Sequence, residues 1–517
     1  MVDTTPDGSR LSVDYGARDF DSLLRSIRSR IPDTIPEWTD FDAEADFGNV
    51  LLQLFAHTGD LLNYYIDRVA TESLLGTAQT RRSVIQHLRL IGYRLATAAP
   101  AATTVTLSFP PLTSQLVVIR RGDAFTSRSG PGARSVRFEF NSEQPLQIAT
   151  NSIAVTNGRK VFSGLRIEEG RLVEDEFLGS STGQPNQRLR LAHPRVILRP
   201  IGPRSAGARD IILRSTAGGV VTEWTLTETL AFSRSTATDV AIEIDEDDRA
   251  TLVLGDGRFG AVPAAGATLR ATYRVGGGTL GNLPAGSIQT ILDAPQLSSL
   301  AAEINNADPA TGGAEREEIA HAVGHAPAVF RSLKRAVTTA DYEALALMFG
   351  GVGKVRAGRG GWNLVRLYVA PEGGGHVSDV LRSSLVTYFE DLRPVSTLVE
   401  IMDVEYIPIA VTAEIAVISY YSQAQVAEEV REAGRRLLAF DSVDFGTSVY
   451  LSKFYEAIEA IPGVDFVNVT EFRRVEQPAG SLEASGKIVL AEHELAVAST
   501  EAGYDRRIQL VVSGGFI

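Results

Sequence analysis

The chain has 517 residues, of which 44% are hydrophobic and 22% charged, with no cysteine and a formal net charge of −13. That length divides into three or four cores, and the lack of cysteine removes disulfides, thiol nucleophiles and thiolate metal sites. The acidic balance argues against a phosphate-neutralising surface. Nothing approaches the run of roughly 18 apolar residues that spans a bilayer, and the acidic, polar start MVDTTPDGSRLSVDYGARDFD is unlike a secretory signal. The expectation is a multidomain α+β protein, made and assembled in the cytoplasm, with no nucleic acid and no membrane insertion.

Residues 1–98 read as a helical region. Asp19 is placed to cap a helix that turns Phe20, Leu23, Leu24 and Ile27 inward and Arg25 and Arg28 outward. After Asp46, apolar residues recur at three and four: Val50, Leu51, Leu54, Phe55, Leu61, Leu62, Tyr65, Ile66 and Val69. Gln53, His57, Asp60 and Asp67 fall on the other side. A third helix carries Val84, Ile85, Leu88 and Ile91, with Gly92 as its C-terminal cap. Two readings stay open. The three helices bury one another in a small bundle, or the wide stripe docks on a partner helix.

Residues 99–296 are strand-rich, with examples at 103–109, 116–119, 136–140, 189–191, 211–213, 240–244 and 250–254, separated by turn clusters. Frequent strands without helices between them indicate antiparallel sheets in a sandwich or partly closed barrel. Gly255, Gly257 and Gly260 spell the G-x-G-x-x-G fingerprint of dinucleotide sites, which needs a helix after the third glycine. Ala261-Val262-Pro263-Ala264-Ala265-Gly266 cannot form one, and Thr268–Val275 alternates as a strand. Leu269, Ala271, Tyr273 and Val275 share one face; Thr268, Arg270, Thr272 and Arg274 share the other. These glycines, with Gly276 and Gly281, read as structural turns, and no cofactor site is expected.

Gly179-Ser180-Ser181-Thr182-Gly183 matches G-x-S-x-G, but Gln184-Pro185-Asn186 replaces the helix a nucleophile elbow requires. The loop Leu297–Thr311 reads as a linker and candidate hinge. Beyond it, 312–405 and 406–517 read as two small α+β modules of similar element order. Pro408 suggests an edge strand or a bulge within 407–418. His321 and His325 sit four apart, yet Ala322 stands where H-E-x-x-H has its glutamate, and Gly324 and Pro327 suggest a helix that is ending. Asp245-Glu246-Asp247-Asp248 lacks the spacing of a calcium loop, and Gly373-Gly374-Gly375 has no lysine to meet phosphate. No catalytic or metal-binding set emerges.

The order of separate blocks carries a resemblance. DFGNVLLQLFAHTGDLLNYYIDRVATESLLGTAQTRRSVIQHLRLIGYRLATAAPA at 46–101, Gly183-Gln184-Pro185-Asn186-Gln187, Trp224, the glycine segment 254–286, TGGAEREEIAHAVGHAPAVFRSLKRAVTTADYEALA at 311–346 and FGTSVYLSKFYEAIEAIPGVDFVNV at 445–469 resemble the baseplate J family of contractile phage tails and related injection particles. The resemblance implies a non-enzymatic wedge protein in the ring around a hub and spike. It pairs with an identical copy or a paralogue, contacts a sheath-linking protein and transmits a trigger. It also implies that Phe47, Leu51, Leu54, Phe55, Leu62, Tyr65 and Ile66 face partners, and that the modules after 312 make contacts between wedges. A β-rich adhesin or carbohydrate-binding tail protein is the alternative. It needs an exposed aromatic platform, whereas Trp38, Trp224 and Trp362 are widely scattered in sequence.

Overall fold

The computed structural model describes residues 18–128, 134–201, 206–501, 504 and 507–516. The chain divides into two compact units, Met1–Gly92 and Tyr93–Ile517. The first ends before the expected boundary at residue 98, because Tyr93 and Ala96 bond into the second unit through Glu317.

In the first unit, Asp19 caps the helix Phe20–Arg28 by accepting from Ser22 N, and Asp46 caps Phe47–Glu72 by accepting from Asn49 N at 2.9 Å. The helix Arg81–Leu90 buries Val84 and Leu88, and Gly92 follows it with φ +70, the left-handed conformation that ends helices without a Cβ penalty.

The second unit opens with β structure. Among the described residues, one seven-stranded sheet runs in the order Ile288–Asp293, Ala124–Ser127, Arg137–Glu139, Arg159–Glu169, Ala102–Phe109, Glu303–Asn306, with Val155–Thr156 added on Arg159–Glu169. Its two ends meet, so it curls toward a barrel around Val105, Leu107, Phe109, Phe125, Phe138 and Leu165. The segment 297–311, expected as a linker and hinge, belongs to this barrel. Glu303–Asn306 pairs antiparallel with Ala102–Phe109, and Leu297 and Ile304 are buried. Asn306 is fully buried, accepting from Ile288 N and donating to Pro284 O and Asp308 O. Its polar loop composition hid a strand whose amide replaces missing turn bonds.

At Gly170 the chain passes from the first sheet to a second. The φ there is +121, and a Cβ would lie 2.9 Å from Val275 O. The second sheet runs Arg171–Ser180, Thr268–Val275, Ile211–Ala217, Val220–Thr227, Asp239–Ile244, Ala250–Leu254, Arg188–Arg190, and only the Val220–Thr227/Asp239–Ile244 pair is parallel. Leu269, Ala271 and Tyr273 lie in its core with Trp224, as the alternation predicts. Arg274, expected on the solvated face, is buried instead. It donates to Glu168 at 2.7 Å on the first sheet, with Glu139 3.9 Å away. Arg199 pairs with Asp210 and lies 3.9 Å from Glu168, while Asn141 donates to Glu168 at 2.9 Å. Burial opposes charge on Glu168, but Arg199 and Arg274 outweigh it and hold the carboxyl below its ordinary range. At Arg274 that second face meets a neighbouring sheet, while Arg270 on the same face stays exposed, a difference that periodicity cannot show.

Next, Ile319–Ser332 and Thr339–Leu347 lead into a three-stranded sheet of Val352–Gly361, Leu364–Pro371 and Leu398–Asp403, with Asp379–Glu390 packed beside it. Thr338 and Asp341 form a reciprocal capping box on the second helix. Ile319–Ser332 runs through Gly324 and Pro327 rather than ending there. Its stripe of Ala322, Ala326, Val329 and Ser332 is buried, and that packing overrides the local cost of a proline.

The last sheet is built on one 18-residue strand, Glu405–Ser422. Val464–Arg474 lies on one side of it; Glu494–Ala498 and Gln509–Phe516 lie in line on the other. Glu405–Ser422 is therefore the central strand, not the edge that Pro408 suggested. Pro408 sits just outside the pairing with Val464–Arg474, which begins at Ile409, and its carbonyl accepts from Val475 N. The two α+β modules do not share one sheet order. In the first, the strand after the helix pairs parallel; in the last, Val464–Arg474 pairs antiparallel.

Within this sheet Glu471 is buried and accepts from Arg473 Nε at 2.6 Å, Gly480 N at 2.7 Å, Thr412 Oγ1 at 2.7 Å and the Tyr504 hydroxyl. Burial opposes its charge, but the Tyr504, Arg473, Gly480 and Thr412 donors outweigh that and hold the carboxyl at about 2. A carboxyl lowered from 4.5 stabilises the fold above that pH, and the contribution is lost as pH falls toward 2. Urea unfolding between pH 5 and 2.5 is expected to show this loss in the wild type, and Glu471→Gln should remove that part of the slope.

Candidate partner-docking surface

The long helix Phe47–Glu72 is laid against Phe20–Arg28 by its polar side. Arg28 Nη2 donates to Asn49 Oδ1 at 2.6 Å, Asn63 Nδ2 donates to Arg18 O at 2.9 Å, and Arg18 pairs with Asp67 at 3.3 Å. Leu23 comes so close that a Cβ on Gly59 would sit 3.0 Å from its Cδ1. Asn49 and Ala56 are buried and Leu52, Gln53, Gly59, Asp60 and Asn63 half-buried, one helical face made mostly of small and polar residues. Small residues let the short helix approach closely, and the amides supply the bonds. This reverses the bundle expectation, in which the apolar stripe turned inward.

The apolar stripe consequently faces outward. Phe47 is 74% exposed, Leu54 57%, Phe55 70% and Val69 68%, and Val50, Leu51, Leu61, Leu62, Tyr64, Tyr65 and Ile66 are exposed as well. Scattered exposed apolar residues are ordinary, but a continuous stripe along about six turns is what interaction surfaces look like. Periodicity located these residues. It could not say which side the neighbouring helix would take.

The motifs that imitate chemistry fall elsewhere and serve the fold. Ser181 is buried, donating to Pro263 O at 3.0 Å and accepting from Gly183 N at 3.1 Å. Gly255, Gly257 and Gly260 form a closed loop after Ala250–Leu254. Gly257 N donates to Gly260 O at 3.0 Å, and Asp256 Oδ1 accepts from Arg258 N and Phe259 N. A Cβ on Gly255 would lie 2.3 Å from the Gly260 backbone. Gly255→Ala is thus expected to cost about 1–3 kcal/mol, read by urea unfolding. Gly276 has φ +143, and Gly281 is held small because a Cβ would meet Ala101 at 2.8 Å. His321 bonds Glu317 and His325 bonds Ala344 O. Among the described residues, no three His, Asp or Glu side chains are placed to hold a metal ion, and no helix is long and apolar enough to cross a membrane. Trp224 is buried on Ser215, Trp38 lies against Gly48, and Trp362 is exposed at a hairpin tip, so no aromatic platform is formed by them.

Residues 19–90, which span the helices described in the first unit, match the family model of the bacteriophage baseplate protein N-terminal domain. Residues 334–402, from the capping box to the third strand of the three-stranded sheet, match the baseplate J-like central domain. The chain carries a baseplate N-terminal domain and a baseplate J-like central domain. It is a baseplate component of a phage tail or tail-like particle. Among solved structures, the chain is similar to a chain of the anti-feeding prophage baseplate at 14% identity, covering 93% of this chain and 98% of that one with a TM-score of 0.31. It is also similar to a chain of the type VI secretion TssK–TssF–TssG baseplate subcomplex at 10% identity, covering 66% and 94% with a TM-score of 0.25. No curated protein matches it. The two domain matches occur in separate parts of the chain.

Proposed function

We propose that this protein is a structural wedge subunit of a contractile tail or injection particle and that it works by assembly, without catalysis. The observation that carries the reading is the outward apolar stripe of Phe47–Glu72, in a segment that belongs to a baseplate domain. Phe47, Leu51, Leu54, Phe55, Leu62, Tyr65 and Ile66 bury themselves against other baseplate subunits, an identical copy or a paralogue among them. The J-like module and the C-terminal sheet join neighbouring wedges around the hub and spike. Ring closure makes every contact multivalent, so interfaces of ordinary size, roughly 1,600 Å², suffice. A trigger passes to the sheath as a change between two packings of similar energy.

Electron microscopy of the assembled particle tests this. The stripe on Phe47–Glu72 is expected to be covered by other subunits in a six-fold ring. A ring in which that helix faces solvent, or a chain active as an isolated monomer, overturns the reading.

A further inference from the structure

Where the chain leaves Gly92, it is gripped by a cluster of ionisable groups that the assembly role does not use. Tyr93 is buried, and its hydroxyl donates to Glu317 Oε1 at 2.6 Å. Ala96 N donates to Glu317 Oε2 at 3.0 Å, and Glu317 N donates back to Ala96 O at 3.0 Å. One turn into the helix Ile319–Ser332, His321 Nδ1 meets the same Oε1 at 2.8 Å. His325 stacks on His321 with ring centroids 5.4 Å apart and stands edge-on to Tyr93 at 6.5 Å. Since a carbonyl only accepts, His325 donates its Nε2–H to Ala344 O at 2.7 Å.

We propose that Glu317 and His321, with His325 stacked on them, form a proton-sensitive clasp that holds residues 93–96 against the helix Ile319–Ser332. Two imidazoles this close disfavour a second positive charge, so the clasp has one preferred state: His321 charged on Glu317 and His325 neutral on Ala344. The other ionisable groups around it agree. Glu372, after the strand Leu364–Pro371, faces His321 and adds negative charge, itself facing Lys354 and Asp441. Tyr388, from Asp379–Glu390, faces Tyr93. On the helix Thr339–Leu347, which packs on Ile319–Ser332, Asp341 is engaged by Thr338 and Glu343 by Ala357 N and Arg356.

The Glu317 hydrogen bond raises His321 above its ordinary 6.5, so its contribution is complete below that pH and is lost as pH rises through the raised value. Burial lowers His325, so acidification below 6.5 works against the fold there. The clasp is therefore tightest near pH 6.5 and loosens on either side.

Hydrogen exchange of backbone amides 93–97 in the full-length chain tests this, from pH 5.5 to 8.5, with labelling times scaled for the intrinsic pH dependence. Protection is expected to peak near pH 6.5 and to fall roughly two- to fivefold by pH 8.5, the size of effect a half-exposed ion pair supports. His321→Gln keeps a donor but no charge and should show the lower, high-pH protection from pH 6.5 upward. His325→Gln should keep the alkaline loss and abolish the acid one. Protection independent of pH in the wild type, or an alkaline loss that survives in His321→Gln, overturns the proposal.

Discussion

Leu54→Asp is expected to leave folding intact and to abolish partner capture. Leu54 is 57% exposed on the face of Phe47–Glu72 opposite the short helix, so a carboxylate there costs the isolated chain at most about 0.5 kcal/mol. In a docked complex the same carboxylate enters an apolar contact flanked by Leu51, Phe55 and Leu62. Loss of a central contact of that kind costs about 2 kcal/mol or more, a weakening of about 30-fold, and a buried unpaired charge adds to it. The measurement is co-purification with the other baseplate subunits, with circular dichroism and melting as the folding check. Leu112→Asp, at a position 93% exposed in the β-rich region, should change neither readout. A Leu54→Asp chain that folds and still captures its partners at wild-type strength rules out docking by this face.

Arg274→Met is expected to cost about 3–5 kcal/mol of stability, because it takes from the buried Glu168 carboxylate the cation that lies nearest to it. Arg274 is 3% exposed, and Glu168 lies 2.7 Å from it at the junction of the two seven-stranded sheets. The cost should shrink on acidification, since protonating Glu168 removes the uncompensated charge. For the same reason Glu168→Gln in the Arg274→Met background should restore more than half of the loss. Urea unfolding followed by the fluorescence of Trp224, buried in the second sheet, reads these differences. A loss below about 1 kcal/mol for Arg274→Met would mean that the sheets are joined by other contacts.

Much of the architecture was written in local pattern. Asp19 caps its helix as its side chain predicts, the long helix begins after Asp46, and the alternation of Thr268–Val275 placed Leu269, Ala271 and Tyr273 in a core. The contextual failure of G-x-G-x-x-G and G-x-S-x-G was legible too, because each needs a helix that its following residues cannot form. Baseplate membership was legible from block order and agrees with both domain matches.

Periodicity and capping are properties of neighbours in sequence, so the chain by itself settled which residues share a face and where many helices start. It also supplied the apolar stripe of Phe47–Glu72. Only the tertiary structure decided what each face meets. It turned that stripe outward, because Asn49, Ala56, Gly59 and Asn63 fit the short helix more closely; it buried Arg274 against a second sheet; it made 303–306 a barrel strand; and it carried a helix through Pro327. Each of those outcomes is set by partners distant in sequence, whose packing and buried hydrogen bonds outweigh local propensities of about 1 kcal/mol per residue.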